Sequence, residues 1–107
     1  MRKTVAIDFD GVIHRYSKGW QDGVIYDEPM PGAIDALFKL HKHYNLVIFT
    51  CREDSAAVSQ WLIQQMREQR GCYFDIPVTN VKPIAMIYID DRGLRFTNWT
   101  DVLNYLY

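Results

Sequence analysis

Three short apolar segments constrain the fold of this 107-residue chain more than any other feature of its sequence. Val5 to Phe9, Leu46 to Phe49 and Ile84 to Ile89 are four to six residues long, rich in β-branched and aromatic side chains, and scarcely alternate with polar residues. Strands that are covered on both faces of a parallel sheet have this composition, because helices pack against each face. The pattern therefore predicts that these segments are strands at the centre of a parallel sheet.

Segments with helical periodicity separate the predicted strands. One apolar stripe includes Ile34 and Leu37, and a second includes Val58, Leu62 and Met66. Strands that alternate with helices predict an α/β fold, a three-layer sandwich built as one domain over residues 1–107. The expected helix-end residues are Pro31 in the first turn of the first helix, Ser55 as the N-cap of the second, Gly71 at its end and Thr100 at the start of a last helix.

Residues 11–30 fit neither pattern. They contain glycines and a proline together with the aromatic residues Tyr16, Trp20 and Tyr26, which favours an ordered loop or irregular hairpin over a disordered one. A loop of about twenty residues is usually functional when it is ordered. We call this segment the flap, and expect His14 and Trp20 either to contact a substrate or to pack the flap against the domain.

Composition narrows the possible functions. The chain has 12 Lys and Arg against 13 Asp and Glu, a balance that argues against a domain built mainly to neutralise nucleic-acid phosphates. No apolar run approaches the roughly 20 residues that a membrane helix needs. The two cysteines, Cys51 and Cys72, form no metal-binding pair, and we expect them to be packing residues in a reducing compartment. The sequence predicts a soluble cytoplasmic protein without a membrane partner.

Each predicted strand is followed by polar side chains of a reactive type. Because the carboxyl ends of parallel strands meet at one edge of a sheet, and because open α/β sheets bind ligands there, we expect these side chains to form an acidic pocket. A ligand set made of oxygens alone indicates Mg²⁺ rather than zinc. The residues are Asp8 and Asp10 after the first strand, Thr50 and Arg52 after the second, and Asp90, Asp91 and Arg92 after the third.

The order of these motifs resembles that of the haloacid dehalogenase superfamily of phosphohydrolases. The resemblance rests on Asp8-Phe9-Asp10-Gly11, on Thr50 and on Asp90-Asp91, and it covers essentially the whole chain. It implies a Rossmann-like sandwich with a mainly parallel, five-stranded sheet and no cap domain. It also implies hydrolysis of phosphomonoesters through an aspartyl-phosphate intermediate, with Asp8 as the nucleophile and Asp10 as the general acid and base.

The resemblance further implies a ligand set. Mg²⁺ would lie between the Asp8 carboxylate, the Asp10 main-chain carbonyl and one acid of the Asp90-Asp91 pair, with Asp91 favoured as the direct ligand. Thr50 would donate a hydrogen bond to a phosphate oxygen.

Lys82 is the candidate for the lysine with which the family holds the phosphate. Only seven residues separate Lys82 from Asp90, so a fully extended strand over Ile84 to Ile89 would leave the lysine about 20 Å from the site. Either the chain folds back before that strand, or Arg52 or Arg92 takes the place of the lysine. The alternative role for Arg52 and Arg92 is to form ion pairs with the acids.

The absence of a cap domain affects which substrates and partners are expected. Capless members of the family act on large substrates or close the site by forming oligomers, so the resemblance implies either a large phosphorylated substrate or a homo-oligomer. Thr50-Cys51-Arg52 and Asp91-Arg92 are also similar to motifs of capless nucleotidases and of the phosphatase half of polynucleotide kinases. We therefore expect the substrate to be a phosphorylated small molecule, such as a nucleotide, or a nucleic-acid end.

Two other functions fit parts of the pattern. The first is a catalytically inactive phosphoryl-binding or interaction module with the same fold, although such modules usually lose the nucleophile or the acid, and Asp8 and Asp10 are both present. The second is a response-regulator-like receiver, which also gathers acids around Mg²⁺. A receiver has its phospho-acceptor aspartate after the middle strand, where this chain has Thr50, so the order of residues argues against it.

Overall fold

The computed structural model describes residues 2–85, 87–90 and 94–107 of the chain. Over these residues the chain forms five strands and three helices. In chain order the elements are β1 (Thr4–Asp8), α1 (Ala33–His41), β2 (Asn45–Phe49), α2 (Ser55–Arg70), β3 (Val78–Thr79), β4 (Ile87–Asp90), β5 (Leu94–Arg95) and α3 (Trp99–Leu106).

The five strands form one sheet in the order β3-β2-β1-β4-β5, and each pair of neighbours is parallel. β1 is central: Ile7 pairs with Ile48 on one side and with Ile89 on the other, and all three side chains are buried in the core. Buried residues of all three helices complete that core, which removes both faces of β1 from water. The described residues contain no cap domain, and the predicted Rossmann-like α/β sandwich is confirmed.

The first two helices begin at slightly different positions from those predicted. Pro31 lies before α1 and not in its first turn, because Gly32 caps the helix with a φ of 78°, a conformation that L side chains rarely adopt. The N-cap of α2 is Asp54 and not Ser55: an Asp54 carboxylate oxygen accepts the Ala57 N–H at 3.0 Å. A carboxylate at this position also interacts favourably with the helix dipole. Gly71 ends α2, as predicted.

The third predicted strand is shorter and begins later than expected. β4 covers Ile87–Asp90, and Ile84 is 97% exposed instead of buried in the sheet. The Tyr88 hydroxyl donates a hydrogen bond to the Pro83 carbonyl, so the chain before β4 is drawn back beside the strand instead of extending it. This difference changes the expected position of Lys82.

The last helix begins at Trp99, one residue before the predicted start, because the side chain of Asn98 caps it. Asn98 Oδ1 accepts the Asp101 N–H at 2.9 Å. Trp99 is buried, and its Nε1–H donates to the main-chain carbonyl of Val12 at 3.0 Å. α3 is therefore tied to the loop that follows β1, next to the expected site.

The flap is ordered by its own hydrogen bonds. The N–H of Arg15 donates to the carbonyl of Glu28 at 3.0 Å, and the N–H of Met30 donates to the carbonyl of Ile13 at 2.7 Å, so its two ends form an irregular hairpin. Towards the tip, the Tyr26 hydroxyl donates to the carbonyl of Gly19 at 2.9 Å. These contacts confirm an ordered loop and hold the flap beside the carboxyl edge of β1.

The cysteine prediction is wrong in one respect. Cys51 and Cys72 are both free thiols, as expected, but both are exposed and neither is a packing residue. Cys51 lies in the loop after β2 and Cys72 follows the glycine that ends α2, so neither is on the inward face of a core element. In the described part of the chain, no helix has the combination of length and apolar composition that crossing a bilayer requires.

Candidate active site

The ends of β1, β2 and β4 bring the predicted reactive residues to one edge of the sheet. Asp8, the last residue of β1, pairs with Phe49, and Thr50 follows directly. On the other side Ile7 pairs with Ile89, so Asp8 and Asp90 end neighbouring strands. A cavity of about 310 Å³ opens at this edge, and we call it the carboxylate cavity. It is lined by Asp8, Asp10, Gly11, Val12, Asp90, Arg95 and Phe96.

A tight turn after β1 positions Asp10 over this cavity. The N–H groups of Ile13 and His14 both donate to the carbonyl of Phe9, at 2.9 and 3.0 Å, and the N–H of Gly11 donates to the carbonyl of His14 at 2.8 Å. Gly11 has a φ of 82°, so the turn requires a residue that tolerates a positive φ. At the start of the turn, Asp8 Oδ1 accepts the Phe9 N–H at 2.8 Å, which fixes one oxygen of that carboxylate.

Both oxygens of the Asp10 carboxylate accept hydrogen bonds from buried side chains. Arg52 Nε donates to Oδ2 at 2.8 Å and Arg52 Nη2 donates to Oδ1 at 3.0 Å, a two-pronged ion pair. His14 Nδ1 lies 2.8 Å from Oδ1. Three hydrogen bonds to one carboxylate hold its orientation, so Asp10 is a fixed acceptor among the residues that line the cavity.

His14 is fully buried, and its tautomer follows from its second contact. Its Nε2 accepts the main-chain N–H of Asp27 at 3.0 Å, and a nitrogen that accepts a hydrogen bond cannot carry the proton of a neutral imidazole. The proton is therefore on Nδ1, from which it is donated to Asp10. The rings of Phe9, Tyr26 and Trp61 enclose the imidazole at centroid distances of 5.3 to 5.6 Å. His14 thus connects the flap to Asp10 and does not face a substrate.

Arg52 connects the same carboxylate to the tip of the flap. Its side chain is almost fully buried, and Nη1 donates to the main-chain carbonyl of Gly23 at 2.9 Å. The guanidinium carbon also lies 5.2 Å from the ring centroid of Trp20, within the range of a cation–π contact. Arg52 was predicted to bind phosphate or to pair with an acid; in the structure it donates to Asp10 and to the flap.

Thr50 is buried beside the end of β1. Its Oγ1 accepts the main-chain N–H of Arg52 at 3.2 Å, and its own main-chain N–H donates to the carbonyl of Thr79 at 3.0 Å. A hydroxyl that accepts this bond still has a proton to donate. The arrangement is compatible with the predicted hydrogen bond to a phosphate oxygen.

Lys82 lies outside the residues that line the carboxylate cavity. It is exposed, and its Nζ is 4.7 Å from the ring centroid of Tyr88. Since β3 ends at Thr79, level with Phe49, the chain reaches Lys82 from the carboxyl edge of the sheet and then turns back to begin β4. The chain therefore folds back before β4, which is the first of the two alternatives given for Lys82. The contact found for the Lys82 amine is with the ring of Tyr88. Asp91 and Arg92, two further predicted site residues, lie outside the described residues.

The oxygen donors around the cavity fit a hard divalent cation in their chemistry. Asp8 and Asp90 supply carboxylate oxygens at neighbouring strand ends. The Asp10 side chain is engaged by Arg52 and His14, so the oxygen that Asp10 could offer to a cation is its main-chain carbonyl. In the described part of the chain, no group of three or more His, Cys, Asp or Glu side chains is placed to hold a metal ion. Asp91, the ligand favoured from the sequence, is not among the described residues.

One further carboxylate, in the flap, has a shifted pKa. Asp27 accepts hydrogen bonds from the hydroxyl and the main-chain N–H of Ser17, at 2.5 and 2.9 Å. These bonds, with a third from the Glu28 N–H, lower the pKa of Asp27 from 3.8 to about 2. The main-chain N–H of this same residue orients His14, so the charge on Asp27 helps to hold the flap segment that fixes the imidazole.

The sequence signals found the residues at the strand ends but not the way in which Asp10 is held. His14 was expected to contact a substrate or to pack the flap, and its bond to Asp10 was missed. The available signal was local: a histidine four residues after Asp10, following the glycine turn and the apolar pair Val12 and Ile13. Arg52 was expected either to bind phosphate or to pair with one of the acids, and the structure shows the ion pair; a separation of 42 residues did not identify Asp10 as that acid.

No protein-family model matches the chain, and none of the curated proteins matches it. Among solved structures, the chain is similar to a conserved protein from Bacteroides thetaiotaomicron, with a TM-score of 0.66 and 23% sequence identity. The similarity covers 99% of this chain and 90% of that one. At this level of identity the likeness shows a shared fold.

Proposed function

We propose that the protein is a Mg²⁺-dependent phosphomonoester hydrolase that acts through an aspartyl-phosphate on Asp8. The observation that carries the proposal is the position of Asp8 at the end of the central strand. Thr50 lies on one side of it, Asp90 on the other, and Asp10 follows two residues later. A nucleophile, a hydroxyl donor, oxygen ligands for a cation and an acid-base residue are the groups that such a reaction needs.

In the first step, an Asp8 oxygen attacks phosphorus in line as the bond to the leaving oxygen breaks, and Asp10 gives its proton to that oxygen. In the second step, water attacks the phosphorus of the aspartyl-phosphate and Asp10 takes a proton from the water. Inorganic phosphate then leaves and the Asp8 carboxylate is restored. The sum is ester plus water giving alcohol plus phosphate.

The contacts of Asp10 suit the second step better than the first. The second step begins with Asp10 as a carboxylate, the form that accepts these three hydrogen bonds. To donate a proton to the leaving oxygen, Asp10 must already carry the proton taken from water in the preceding turnover, and that O–H must displace one of these hydrogen-bond donors. Arg52 is the partner for which a phosphate dianion competes, since arginine binds phosphate and carboxylate in the same two-pronged way. We propose that substrate binding draws Arg52 towards the phosphate and leaves His14 on Asp10.

A bound Mg²⁺ would neutralise charge on the transferring phosphoryl group, and Asp8, Asp90 or Asp91 and the Asp10 carbonyl would hold it. We further propose that the protein acts in the cytoplasm, where its two exposed free thiols are stable. The proposed substrate class is a nucleotide or a phosphorylated nucleic-acid end. A homo-oligomer that closes the site is the remaining structural question.

The experiment is a phosphatase screen over sugar phosphates, nucleotides and phosphorylated oligonucleotides, with Mg²⁺ and with EDTA. We expect Mg²⁺-dependent release of phosphate from at least one class, and none from the Asp8→Asn variant. The same screen with Asp35→Asn, a carboxylate on α1 that forms an exposed ion pair, controls for the loss of one negative charge. Equal release by the Asp8→Asn variant and the unsubstituted protein would contradict the proposal.

One observation favours the alternative of an inactive phosphoryl-binding module. Donors from Arg52 and His14 occupy both oxygens of the Asp10 carboxylate, so the chain could bind phosphate without completing the first step. A module of this kind would bind beryllium fluoride or inorganic phosphate at the carboxylate cavity and release no phosphate from any ester in the screen.

A further inference from the structure

A second and larger cavity lies on the flap side of Arg52. It measures about 500 Å³, within the range of small-molecule sites, and extends from the flap to the first turn of α2. We call it the flap cavity. Its walls include Trp20, Gly23 and Ile25 from the flap, and Cys51, Arg52 and Ala57 from β2 onwards. The walls of the carboxylate cavity come from other residues, so the two cavities are distinct.

Arg52 connects the two cavities. Its side chain lines the flap cavity, and its Nε and Nη2 donate to Asp10, which lines the carboxylate cavity. On its other side the same guanidinium lies over the Trp20 ring. A single guanidinium therefore separates the indole from the acid-base carboxylate of the proposed reaction, and a ligand with its phosphate at Asp8 could extend its other end into the flap cavity.

Trp20 presents an aromatic surface in this cavity. The residue is 59% exposed, although an indole in water forfeits the free energy of burial. Its position is nevertheless set by neighbours: the Arg52 guanidinium carbon lies 5.2 Å from the centroid of its ring, and a methyl group placed on Gly23 Cα would lie in ordinary van der Waals contact with two indole carbons, at 3.7 and 3.8 Å. An indole that is both held and exposed is suited to stack against another ring.

The charges that line the flap cavity favour one kind of aromatic ligand. Glu53 and Asp54 contribute two carboxylates to its lining, against the single guanidinium of Arg52. Asp54 is fixed in place because it caps α2. The lining therefore carries net negative charge, which disfavours a second phosphate in the cavity and suits a neutral or cationic ring.

We propose that the flap cavity binds a neutral or cationic aromatic ring in the alcohol half of the substrate, with Trp20 stacked on it. This inference rests on the proposed phosphomonoesterase function. It deepens that function by naming the substrate class: an aromatic phosphomonoester with no additional phosphate beside the ring.

The test compares three series of synthetic esters of matched chain length: ω-phenylalkyl, ω-cyclohexylalkyl and n-alkyl phosphates, assayed with Mg²⁺. All three have a primary alkoxide as leaving group, so differences in kcat/KM report binding of the distal group. We expect the phenylalkyl ester of best length to exceed the n-alkyl ester about 10-fold in kcat/KM. The cyclohexylalkyl ester should lie between them.

The matched variants are Trp20→Leu, Trp20→Phe and Tyr105→Leu, the last removing an exposed aromatic side chain on α3 away from both cavities. The ratio of phenylalkyl to n-alkyl kcat/KM should fall to near one in Trp20→Leu, be largely kept in Trp20→Phe and be unchanged in Tyr105→Leu. An unchanged ratio in Trp20→Leu, or equal rates for all three esters in the unsubstituted protein, would overturn the inference while leaving the phosphatase proposal intact.

A binding measurement separates the inference from the proposed function. The Trp20 indole N–H signal in a two-dimensional ¹H–¹⁵N NMR spectrum is assigned by its loss in Trp20→Phe, and ω-phenylalkyl alcohols are then titrated. A saturable shift of this signal in a protein that hydrolyses no ester would support the ring site and refute the hydrolase. No shift would overturn the ring site, as would a shift caused by raising the protein concentration alone, which would place Trp20 between two copies of the chain.

Discussion

The two sides of the carboxylate cavity hold their acids in opposite ways. On the flap side, Asp10 is surrounded by donors from the chain itself, Arg52 and His14, both buried. On the β4 side, Asp8 and Asp90 end adjacent strands and bring two like charges together. The comparison teaches that one edge of a sheet can hold one carboxylate with buried side-chain donors and place two others at the ends of adjacent strands.

The largest expected difference between the two sides is in turnover. Asp8→Asn removes the proposed nucleophile and should abolish hydrolysis, whereas Asp10→Asn removes the acid-base group and should lower kcat about 10² to 10⁴-fold while substrate still binds. Steady-state kinetics on the best substrate of the screen measures both. A greater loss in Asp10→Asn than in Asp8→Asn would exchange the roles of the two acids.

The free energy of unfolding should show how much the contacts of Asp10 on the flap side contribute. Arg52→Met leaves the Asp10 carboxylate and the Gly23 carbonyl without their common donor, and we expect the free energy of unfolding to fall by about 3 kcal/mol. Arg70→Met is the matched control, because the ion pair between Arg70 and Asp35 is exposed and should be worth less than about 1 kcal/mol. Urea denaturation compares them, and equal losses would mean that the buried pair contributes no more than a surface pair.

On the β4 side we expect a bound cation to raise the free energy of unfolding. A cation that binds only the folded state adds about 2.7 kcal/mol at 100 times its dissociation constant, which raises Tm on the order of 10 °C for a domain of this size. Asp90→Asn and Asp91→Asn should both reduce the rise in Tm with Mg²⁺, the direct ligand more strongly. Melting curves with EDTA and across a Mg²⁺ titration measure the effect, and curves that coincide at every concentration would exclude a cation site at these acids.

Two substitutions of His14 distinguish a residue that positions Asp10 from one that only packs the flap. Asn places an N–H near the position of the histidine Nδ1, whereas Gln places its amide near Nε2, so only His14→Asn keeps a donor for Asp10. We expect kcat to fall about 10-fold further in His14→Gln than in His14→Asn, with KM similar in the two. If the two variants have the same kcat at equal folded fraction, His14 only packs the flap.

The smallest expected effect is the loss at low pH of the contacts that Asp27 makes within the flap. The pKa of Asp27 is lowered to about 2 in the folded chain, from an ordinary value of 3.8, so its stabilising contribution is present above about pH 4 and is lost as the pH falls through about 2. NMR signals of Ser17 and Trp20 should shift in that window, and should not do so in Asp27→Asn. A transition centred near pH 4 would show that the Ser17 bonds do not hold the charged form.

The features that could be predicted from the sequence are those whose signal lies within one short segment of the chain. The long apolar runs located β1 and β2, because burial on both faces leaves a continuous pattern, whereas β3 and β5 have two residues each and carry no periodicity. The early start predicted for β4 failed because apolar composition cannot distinguish a strand from the turned-back segment that precedes it. The meeting of strand ends placed Asp8, Asp10 and Thr50 together, but the partners of Asp10 depend on the path of the flap.

The most direct test of the account is to trap the covalent intermediate. The protein is mixed with its best substrate and Mg²⁺, quenched in acid within one turnover, digested and analysed by mass spectrometry, with Asp8→Asn treated in parallel. The account predicts one phosphoryl group on the peptide that contains Asp8, placed by fragmentation on Asp8 itself, and none in the variant. Steady turnover without label on Asp8, or label on another residue that persists in Asp8→Asn, would contradict it.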